Sequence, residues 1–593
     1  MSCRWRWIWE LSCSSERRGN LRRTSGRRNW ERPSRCSWRS AESPGNPTPT
    51  GSVTLTSPGY FSAATTLTSS GAGTGSATIN IAAGALPAGN DVLKATYSPD
   101  LASASIYIGS SGTASAVSVT SVAAITVTAP STSLAVTDQI LGMNMAVWND
   151  TTFSNAVSPF KAAGIKAVRW PGGSTSDDYH WEGTSNNPLA PSMCPTGSYA
   201  FPTSTFANFV NDLAVPAGLD IALTADYGSD PACTGGGLPS EAVAWVTNAL
   251  SLGVTVSHMT VGNEEYGSWE EDLHAIPNDP TTYASTVVGA SGYYTLIKAA
   301  SPNTLVGVDV DEDNTTNGWD NIVLANAKGS YDFVEYHYYP ETPGSESDTF
   351  LTHTAAQNLT NNIKTIRSEL TKWGTPNTPI YVGEIGGPYT NPGKQSWSIT
   401  QGLYAGQVLG EMMTDGISRL TWWIGFGNCN GQSGNITSSV YGWQDFGAYN
   451  VFSDGSADTD CPGAGPVGTM SPTAEAFNLF QNVAVDGETV LTAAVTGDTT
   501  DVRAYAATHF GGTGTALVLF NLNETASSQV AVTLSGQTTA TSVSVTTYDK
   551  SIYDQTNATP PVWALPTTTT NNAPTLPLTL TLTPWSMNVV LIQ

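Results

Sequence analysis

Eight short apolar runs between residues 140 and 426 constrain the fold of this chain more than any other feature. Helix-like stretches such as Ser240 to Leu250 and Tyr283 to Ala300, with apolar residues at spacings near 3.6, separate several of them. The runs are Ile140 to Trp148, Ile165 to Pro171, Asp220 to Tyr227, His258 to Asn263, Thr304 to Asp309, Phe333 to Tyr339, Pro379 to Gly383 and Arg419 to Phe426. This alternation predicts a (β/α)8 barrel, in which functional side chains stand at the C-terminal ends of the strands.

Two glutamates end the fourth and seventh runs, Glu264 and Glu384, and each is followed by glycine and aromatic residues. Two carboxylates that face each other across a cleft can split a glycosidic bond, one protonating the leaving oxygen and the other attacking the anomeric carbon. Taken singly, each is more typical of a solvated loop acid. Their position after two different strands of one barrel favours the catalytic interpretation.

Three motifs in this framework resemble a known group of enzymes. Residues 169–173 (RWPGG), followed by 179–181 (YHW), resemble the second-strand segment of α-L-arabinofuranosidases of glycoside hydrolase family 51 and their relatives in clan A. Residues 261–264 (VGNE) are similar to the acid/base motif of that clan, and Glu384 stands where the clan places its nucleophile. The resemblance spans roughly residues 141–426 and implies a retaining glycoside hydrolase. The sequence around Glu384 (GEIGG) departs from the family 51 pattern, so the clan is better indicated than the family.

The chemistry of the carboxylate pair indicates roles for neighbouring residues, and for Arg169 and Asn263 the same resemblance implies them. Arg169 is the only arginine between residue 40 and Arg367, and a guanidinium beside a nucleophilic carboxylate favours its ionised form. A surface salt bridge is the alternative for this residue. Asn263 is expected to hold the sugar hydroxyl beside the anomeric carbon. His337 and Tyr339 on the sixth run are expected to orient the nucleophile, although a single histidine on a strand is often a core residue.

Aromatic residues near the strand ends are candidates for contact with a sugar. Trp422 and Trp423 are adjacent on the eighth run, so one should line the cleft while the other packs under the helices. Trp170, Tyr266 and Trp269 are further candidates for binding the substrate.

The N-terminal end of the chain differs in composition from the rest. Residues 1–40 contain 11 of the 15 arginines and no apolar run long enough for a secretory signal. This composition favours a disordered or non-native leader over a basic arm that binds nucleic acid. Without these residues the chain carries 13 basic and 45 acidic side chains, a charge that repels nucleic acid and anionic membranes.

Two β-rich regions flank the barrel, which is assigned to residues 126–481. Residues 41–125 are rich in Thr, Ser and Gly with period-two alternation, and 86–100 resembles the end of a bacterial Ig-like repeat, so an Ig-like β-sandwich is predicted there. Residues 482–593 predict a C-terminal β-sandwich. The whole is therefore a multidomain chain.

Four cysteines follow the leader, and none forms a C-x-x-C pair that would indicate zinc. Cys194 and Cys233 fall in neighbouring barrel loops, while Cys429 and Cys461 share the segment after the eighth strand. Two disulfides and a secreted protein are predicted from this placement, against the alternative of unpaired buried thiols. No apolar run is long enough to span a membrane.

Asp309, Asp311 and Asp313 are spaced as in a cation-binding loop, but Asn314 stands where an EF-hand has glycine. A solvated acidic loop is the expectation, with no metal and no cofactor.

These features predict a secreted retaining glycoside hydrolase that acts on plant cell-wall polysaccharide. By resemblance α-L-arabinofuranosidase comes first, and an endo-β-1,4-glucanase or xylanase of the same clan second. A non-catalytic glycan-binding surface protein is the alternative from another class. The oligomeric state is left open.

Overall fold

The described part of the chain forms two compact units in a computed structural model. One contains residues 1–124, 523–531 and 579–584, and the other contains 125–522, 532–578 and 585–593. The structure describes residues 9–15, 34–40, 47–57, 60–71, 74–81, 86, 89–114, 117–119, 121–148, 153–185, 191–194, 202–313, 315, 318–427, 429–430, 439–455 and 461–593. Within these ranges no helix is both long enough and apolar enough to cross a membrane.

The second unit is built around a closed barrel of eight strands. In chain order these are β1 Gly142–Asn144, β2 Ala167–Trp170, β3 Asp220–Ala225, β4 Val256–Val261, β5 Leu305–Val310, β6 Phe333–Tyr338, β7 Ile380–Ile385 and β8 Arg419–Trp422. All neighbours are parallel, and β8 closes on β1 where Met143 lies opposite Trp422. Each strand overlaps one of the eight predicted runs, which confirms the barrel. The strands are almost wholly buried because helices cover their outer side.

Helices follow the strands in the order expected for this barrel. They are Phe153–Ala162, Phe206–Asn208, Val215–Ala217, Pro239–Ser251, Pro280–Val287, Tyr293–Ala300, Trp319–Asn326, Asp348–Phe350, Ala356–Lys372, Ile399–Thr414 and Pro472–Phe480, with π-helical turns at Phe209–Ala214 and Leu351–Ala355. 3-10 turns lie at Asp138–Ile140, Ser174–Asp177 and Lys394–Trp397, and the short strands Tyr179–His180, Ser192–Met193, Cys429–Asn430 and Gly447–Ala448 lie in the loops.

The predicted single helix from Tyr283 to Ala300 is wrong, because the structure has two helices there. Gly289 adopts a φ of +89°, which a right-handed helix does not allow. Gly292 is extended, with φ −79° and ψ 161°, and begins the second helix. The chain therefore turns between β4 and β5 instead of continuing straight.

Six antiparallel strands follow the barrel in the second unit. In sheet order they are Thr567–Asn572, Ser542–Asp549, Ser586–Ile592, Gly514–Asn521, Val502–His509 and Val490–Gly497. The turns Lys550–Tyr553 and Asp554–Asn557 lie between them in sequence, and the strands Ser121–Thr128, Ser528–Leu534 and Leu578–Leu582 are divided between the two units. The β content agrees with the sequence, while the C-terminal sandwich stays a prediction.

Barrel and sheet share one hydrophobic core because helix Ile399–Thr414 approaches the sheet closely. The approach depends on glycines one helical turn apart. A Cβ at Gly406 would lie 2.6 Å from the sulfur of Met587, and a Cβ at Gly410 would overlap the ring of Tyr505. Small residues at i and i+4 thus form a flat face on which the aromatic side chains of the sheet rest.

We expect Gly410→Ala to lower the free energy of unfolding by about 1 to 3 kcal/mol, because the added methyl group overpacks the contact with Tyr505. Alanine is the better helix former by about 0.8 to 1 kcal/mol, so in the absence of this contact the substitution would stabilise the protein. Chemical denaturation measures the change in the free energy of unfolding, and the sign of that change tests the packing. An increase in stability would contradict it.

The first unit consists of short antiparallel strands. Beside Trp9–Ser15 and Ser34–Ser40, which pair with each other, these are Gly51–Ser57, Tyr60–Phe61, Thr65–Thr66, Thr68–Gly71, Thr74–Ser76, Thr78–Ile81, Gly89–Asp91, Lys94–Pro99, Ser110–Thr113 and Val117–Val119. Val53, Leu55, Ala95 and Tyr97 belong to a small separate core. The Ig-like sandwich stays a prediction. So does the disordered or non-native leader, most of which lies outside the described residues.

Candidate active site

A cavity of about 1000 Å³ lies at the C-terminal ends of the barrel strands, with both Glu264 and Glu384 in its wall. Aromatic rings form much of the remaining wall. They include Trp148, Tyr266, Trp269, Tyr389, Trp423 and Tyr449. Polar groups in an aromatic-lined cleft are typical of a site that binds a small polar molecule.

Glu264 reaches the cavity through a tight turn after β4. Gly262 has a φ of +77°, and a Cβ there would lie 2.5 Å from Oε1 of Glu265. Glu264 itself has a φ of +51°, a left-handed conformation that is uncommon for residues other than glycine. Such strain is characteristic of functional positions. Its Oε1 lies 2.7 Å from Nδ1 of His337, and its Oε2 accepts a hydrogen bond of 2.9 Å from Trp269.

Glu384 lies within β7 and is only 5% exposed. The guanidinium of Arg169 donates to its Oε1 at 2.9 Å, and the hydroxyl of Tyr339 donates to its Oε2 at 2.7 Å. Both oxygens are therefore fixed by donors from β2 and from the end of β6. The predicted contacts of Arg169 and Tyr339 with this carboxylate are present in the structure.

The two carboxylates face each other. One oxygen of Glu264, one oxygen of Glu384 and a ring nitrogen of His337 lie within 4.8 Å of one another. A separation of about 5 to 5.5 Å allows one carboxylate to attack a sugar while the other protonates the leaving group, whereas inverting enzymes need about 6.5 to 9.5 Å. The limit of 4.8 Å between these oxygens is closer to the first range than to the second.

A buried charge network lies beneath the pair. Nε of Arg169 is 2.8 Å from Oε1 of Glu335, and Nε2 of His337 is 3.0 Å from the same oxygen. The hydroxyl of Thr260 also donates to Glu335. Glu335 thus connects the arginine of β2 with the histidine of β6.

Two asparagine side chains accept further hydrogen bonds from Arg169. Its NH1 donates to Oδ1 of Asn144 at 3.1 Å, and its NH2 donates to Oδ1 of Asn263 at 2.7 Å. Asn263 in turn donates from Nδ2 to Glu270 at 3.0 Å. Asn263 also lines the cavity, so its predicted contact with a sugar hydroxyl remains a prediction.

This network shifts the pKa values of its members. Burial by itself lowers the pKa of His337, but the charge of Glu384 and the hydrogen bonds to two other glutamates raise it to about 10. Burial raises the pKa of Glu335, yet Arg169 and His337 lower it to about 2. His337 is therefore a cation at neutral pH, and Glu335 is its permanent counterion.

Burial also raises the pKa of Glu264, but the hydrogen bond and the charge of His337 leave it below its ordinary value. In the free protein the proton of this pair thus resides on the imidazole Nδ1, 2.7 Å from the carboxylate.

A second group of acids has raised pKa values. Burial, with the nearby Asp177, raises the pKa of Glu270 to about 9, and burial places that of Glu265 well above its usual value.

Three predicted roles are corrected by the structure. Trp170 is fully buried and packs on Phe209 with ring centroids 5.0 Å apart, because its side chain points outward from the barrel. Trp422 is 1% exposed and packs under the helices against Tyr404, so neither tryptophan contacts the cavity. Trp423 lines the cavity, as the alternation of the strand predicts.

The third correction concerns His337. It was expected to orient the nucleophile, but its Nδ1 is 2.7 Å from Glu264 and 4.0 Å from Glu384. The bulge between Tyr336 and His337 in β6 shifts the pairing with β7 at this point. Tyr266 and Trp269 both line the cavity as expected.

Several residues of the site were not predicted from the sequence. Glu335 stands two residues before His337 on one strand. Such residues point to the same side of the strand, so this spacing could have indicated that Glu335 lies beside His337. Asn144, Asp177 and Glu270 had no comparable signal, because their contacts join segments that are distant in sequence.

The disulfide between Cys194 and Cys233 is confirmed, with Cα atoms 5.4 Å apart. Cys461 is also disulfide-bonded. Its predicted partner Cys429 stays a prediction, because the side chain of Cys429 lies outside the described residues.

The pKa of His337 gives a pH-dependent prediction. Because its folded-state pKa of about 10 exceeds the ordinary value of 6.5, the charged imidazole stabilises the folded protein fully below about pH 6.5, and this contribution is lost as pH rises toward 10. We expect thermal midpoints of wild type and His337→Gln to converge between about pH 6 and pH 10. A difference that stays constant over this range would contradict the shift.

No protein-family model matches the chain, and no curated protein matches it. Its fold is similar to that of solved glycoside hydrolases. An α-L-arabinofuranosidase from Thermotoga maritima, solved with arabinose, has a TM-score of 0.59 and 15% identity, covering 79% of this chain and 99% of that one. A family 51 arabinofuranosidase from Xanthomonas axonopodis pv. citri has a TM-score of 0.57 and 18% identity, covering 80% and 100%. A family 44 xyloglucanase from Paenibacillus polymyxa has a TM-score of 0.52 and 13% identity, covering 80% and 100%. Identities this low establish a common fold only.

Proposed function

We propose that the protein is a retaining glycoside hydrolase that acts on plant cell-wall polysaccharide. The observation that carries this proposal is the pair Glu264 and Glu384, whose oxygens face each other within 4.8 Å at the strand ends of the barrel. The likeness to solved arabinofuranosidases and xyloglucanases supports the same class.

Glu384 is the nucleophile in this proposal. Arg169 and Tyr339 hold its two oxygens from separate strands, so the carboxylate cannot rotate away from the cavity. A nucleophile fixed in this way attacks the anomeric carbon without first losing conformational freedom. The product of this step is an ester between the sugar and Glu384.

Glu264 is the acid and then the base. Its proton comes from Nδ1 of His337, 2.7 Å away, which leaves a neutral imidazole still donating from Nε2 to Glu335. A bound sugar excludes water from the site, and a charged group is less stable without water. This favours the proton transfer, because the transfer converts an ion pair into two neutral groups. Glu264 then protonates the leaving oxygen and later accepts the proton of the attacking water.

For the substrate we propose a terminal α-L-arabinofuranosyl group first, on the resemblance of the three motifs and on the arabinofuranosidases of the same fold. Endo-hydrolysis of a β-1,4-glucan or xylan is the second candidate. The cavity of about 1000 Å³ is at the upper end of ordinary ligand sites, so it has room for several sugar rings. Rates on aryl arabinofuranoside, aryl xyloside, arabinoxylan and cellulose distinguish the two.

The roles of three glutamates can be tested in parallel on a polysaccharide and on a nitrophenyl glycoside. We expect Glu264→Ala to lose most activity on the polysaccharide, to keep much more on the nitrophenyl glycoside, whose leaving group needs little protonation, and to recover turnover with azide. Glu384→Ala should be inactive on both, because no covalent intermediate forms.

Glu265→Gln is the matched control for this series. Glu265 is fully buried beside Asp177 and does not line the cavity, so activity should stay within about tenfold of wild type. Azide rescue of this variant beside a nearly normal Glu264→Ala would overturn the assignment. A fully active Glu384→Ala would favour the non-catalytic glycan-binding alternative.

We also propose that the protein is secreted. The disulfide between Cys194 and Cys233 supports an oxidising compartment, because such bonds are rare in the cytosol. Recovery of the native protein from culture medium rather than from cells tests this proposal.

A further inference from the structure

A cluster of carboxylates lies outside the catalytic pair, where the loop after β5 meets two helices. It comprises Asp313 of the loop, Asp320 of helix Trp319–Asn326 and Glu369 of helix Ala356–Lys372. One oxygen from each lies within 4.8 Å of the other two. The predicted cation loop is thus divided, because Asp309 is buried on β5 and Asp311 faces the catalytic cavity, while Asp313 joins these two helical acids.

The cluster contains buried oxygens with no hydrogen-bond donor. Asp320 is fully buried; its Oδ1 accepts the backbone N–H of Asp311 at 2.6 Å, and its Oδ2 has no hydrogen-bond partner among the described residues. Glu369 is 4% exposed and likewise leaves Oε2 unpartnered, and so does Asp313 at Oδ1. Buried carboxylate oxygens without partners are costly, so each needs a cation or a proton.

Among the described residues, none of the three acids forms an ion pair within 4.0 Å. Lys372 approaches the cluster, but its Nζ donates to Oδ1 of Asn321 at 2.8 Å. Asn321 donates from Nδ2 to the other oxygen of Glu369, Oε1, at 3.3 Å.

We propose that Asp313, Asp320 and Glu369 bind one calcium ion. Calcium takes oxygen ligands at about 2.3 to 2.6 Å, so two of its ligands lie at most about 4.6 to 5.2 Å apart, and the observed spacing satisfies this limit. Carboxylate oxygens alone select a hard cation. Calcium suits an irregular set with carboxylates from a loop and two helices better than magnesium, which requires near-octahedral geometry.

Such an ion would stabilise one wall of the catalytic cavity. Asp311 and Glu312 line that cavity and immediately precede Asp313. The backbone N–H of Asp311 donates a hydrogen bond to the side chain of Asp320. This bond joins the stretch to helix Trp319–Asn326, which supplies Asp320 as a ligand. The ion would therefore hold the loop after β5 in place.

The full-length protein, stripped with a chelator, provides the test. We expect calcium at millimolar concentration to raise the thermal midpoint by about 2 to 5 °C and calorimetry to show one bound ion, since a ligand that binds only the folded state stabilises it. Magnesium at the same concentration should give a smaller shift. An equal shift with magnesium would overturn the choice of calcium.

Asp320→Asn and Glu369→Gln should lose the calcium response and, without calcium, be at least as stable as wild type, because each removes a buried charge. Glu475→Gln is the control: Glu475 is also buried, but it accepts a hydrogen bond from Asn478 at 2.8 Å. It should keep the full calcium shift. If wild type neither binds calcium nor gains stability from it, a proton shared by Asp320 and Glu369 explains the cluster and the proposal is wrong.

Discussion

The buried guanidinium of Arg169 is the interaction on which the rest of the site depends. It is 1% exposed and bonds to side chains from β1, β6, β7 and the turn after β4, so one group fixes the relative positions of four segments. A buried charge needs an opposite charge close to it. The carboxylates of Glu335 and Glu384 meet that need, and the barrel places them within reach because β6 and β7 are neighbours.

The fold was predictable because its signal is repeated and local. Eight apolar runs separated by helical periodicity specify a parallel barrel with little dependence on any one residue. Where one local residue decided the outcome, as Gly289 did between β4 and β5, the prediction of a continuous helix was wrong. The exact ends of the barrel strands were also hard to predict, because each depends on the few residues of the turn that follows it.

The site was predictable only where a residue stood in a recognisable motif. Glu264, Glu384 and Arg169 were found in this way, and the structure brings them together. Trp170 was misassigned because it directly follows Arg169 on β2, and adjacent strand residues point to opposite sides of the sheet. Glu335 was missed because a buried carboxylate becomes informative only when its partners Arg169 and His337 are seen beside it.

The charges of the network have a consequence for the proposed reaction. Two basic groups, Arg169 and His337, face three acidic groups, Glu264, Glu335 and Glu384, so acidic groups outnumber basic ones in this network. The transition state of glycoside hydrolysis resembles an oxocarbenium ion and develops positive charge at the sugar. A preorganised site with an excess of acidic groups stabilises that state more than the neutral substrate, which is the condition for rate acceleration. Formation of the ester at Glu384 removes one carboxylate charge, while the proton that leaves with the alcohol removes one positive charge, so the net charge of the site is unchanged. Hydrolysis of the glycosyl-enzyme restores the carboxylate of Glu384 and returns a proton from water to Glu264.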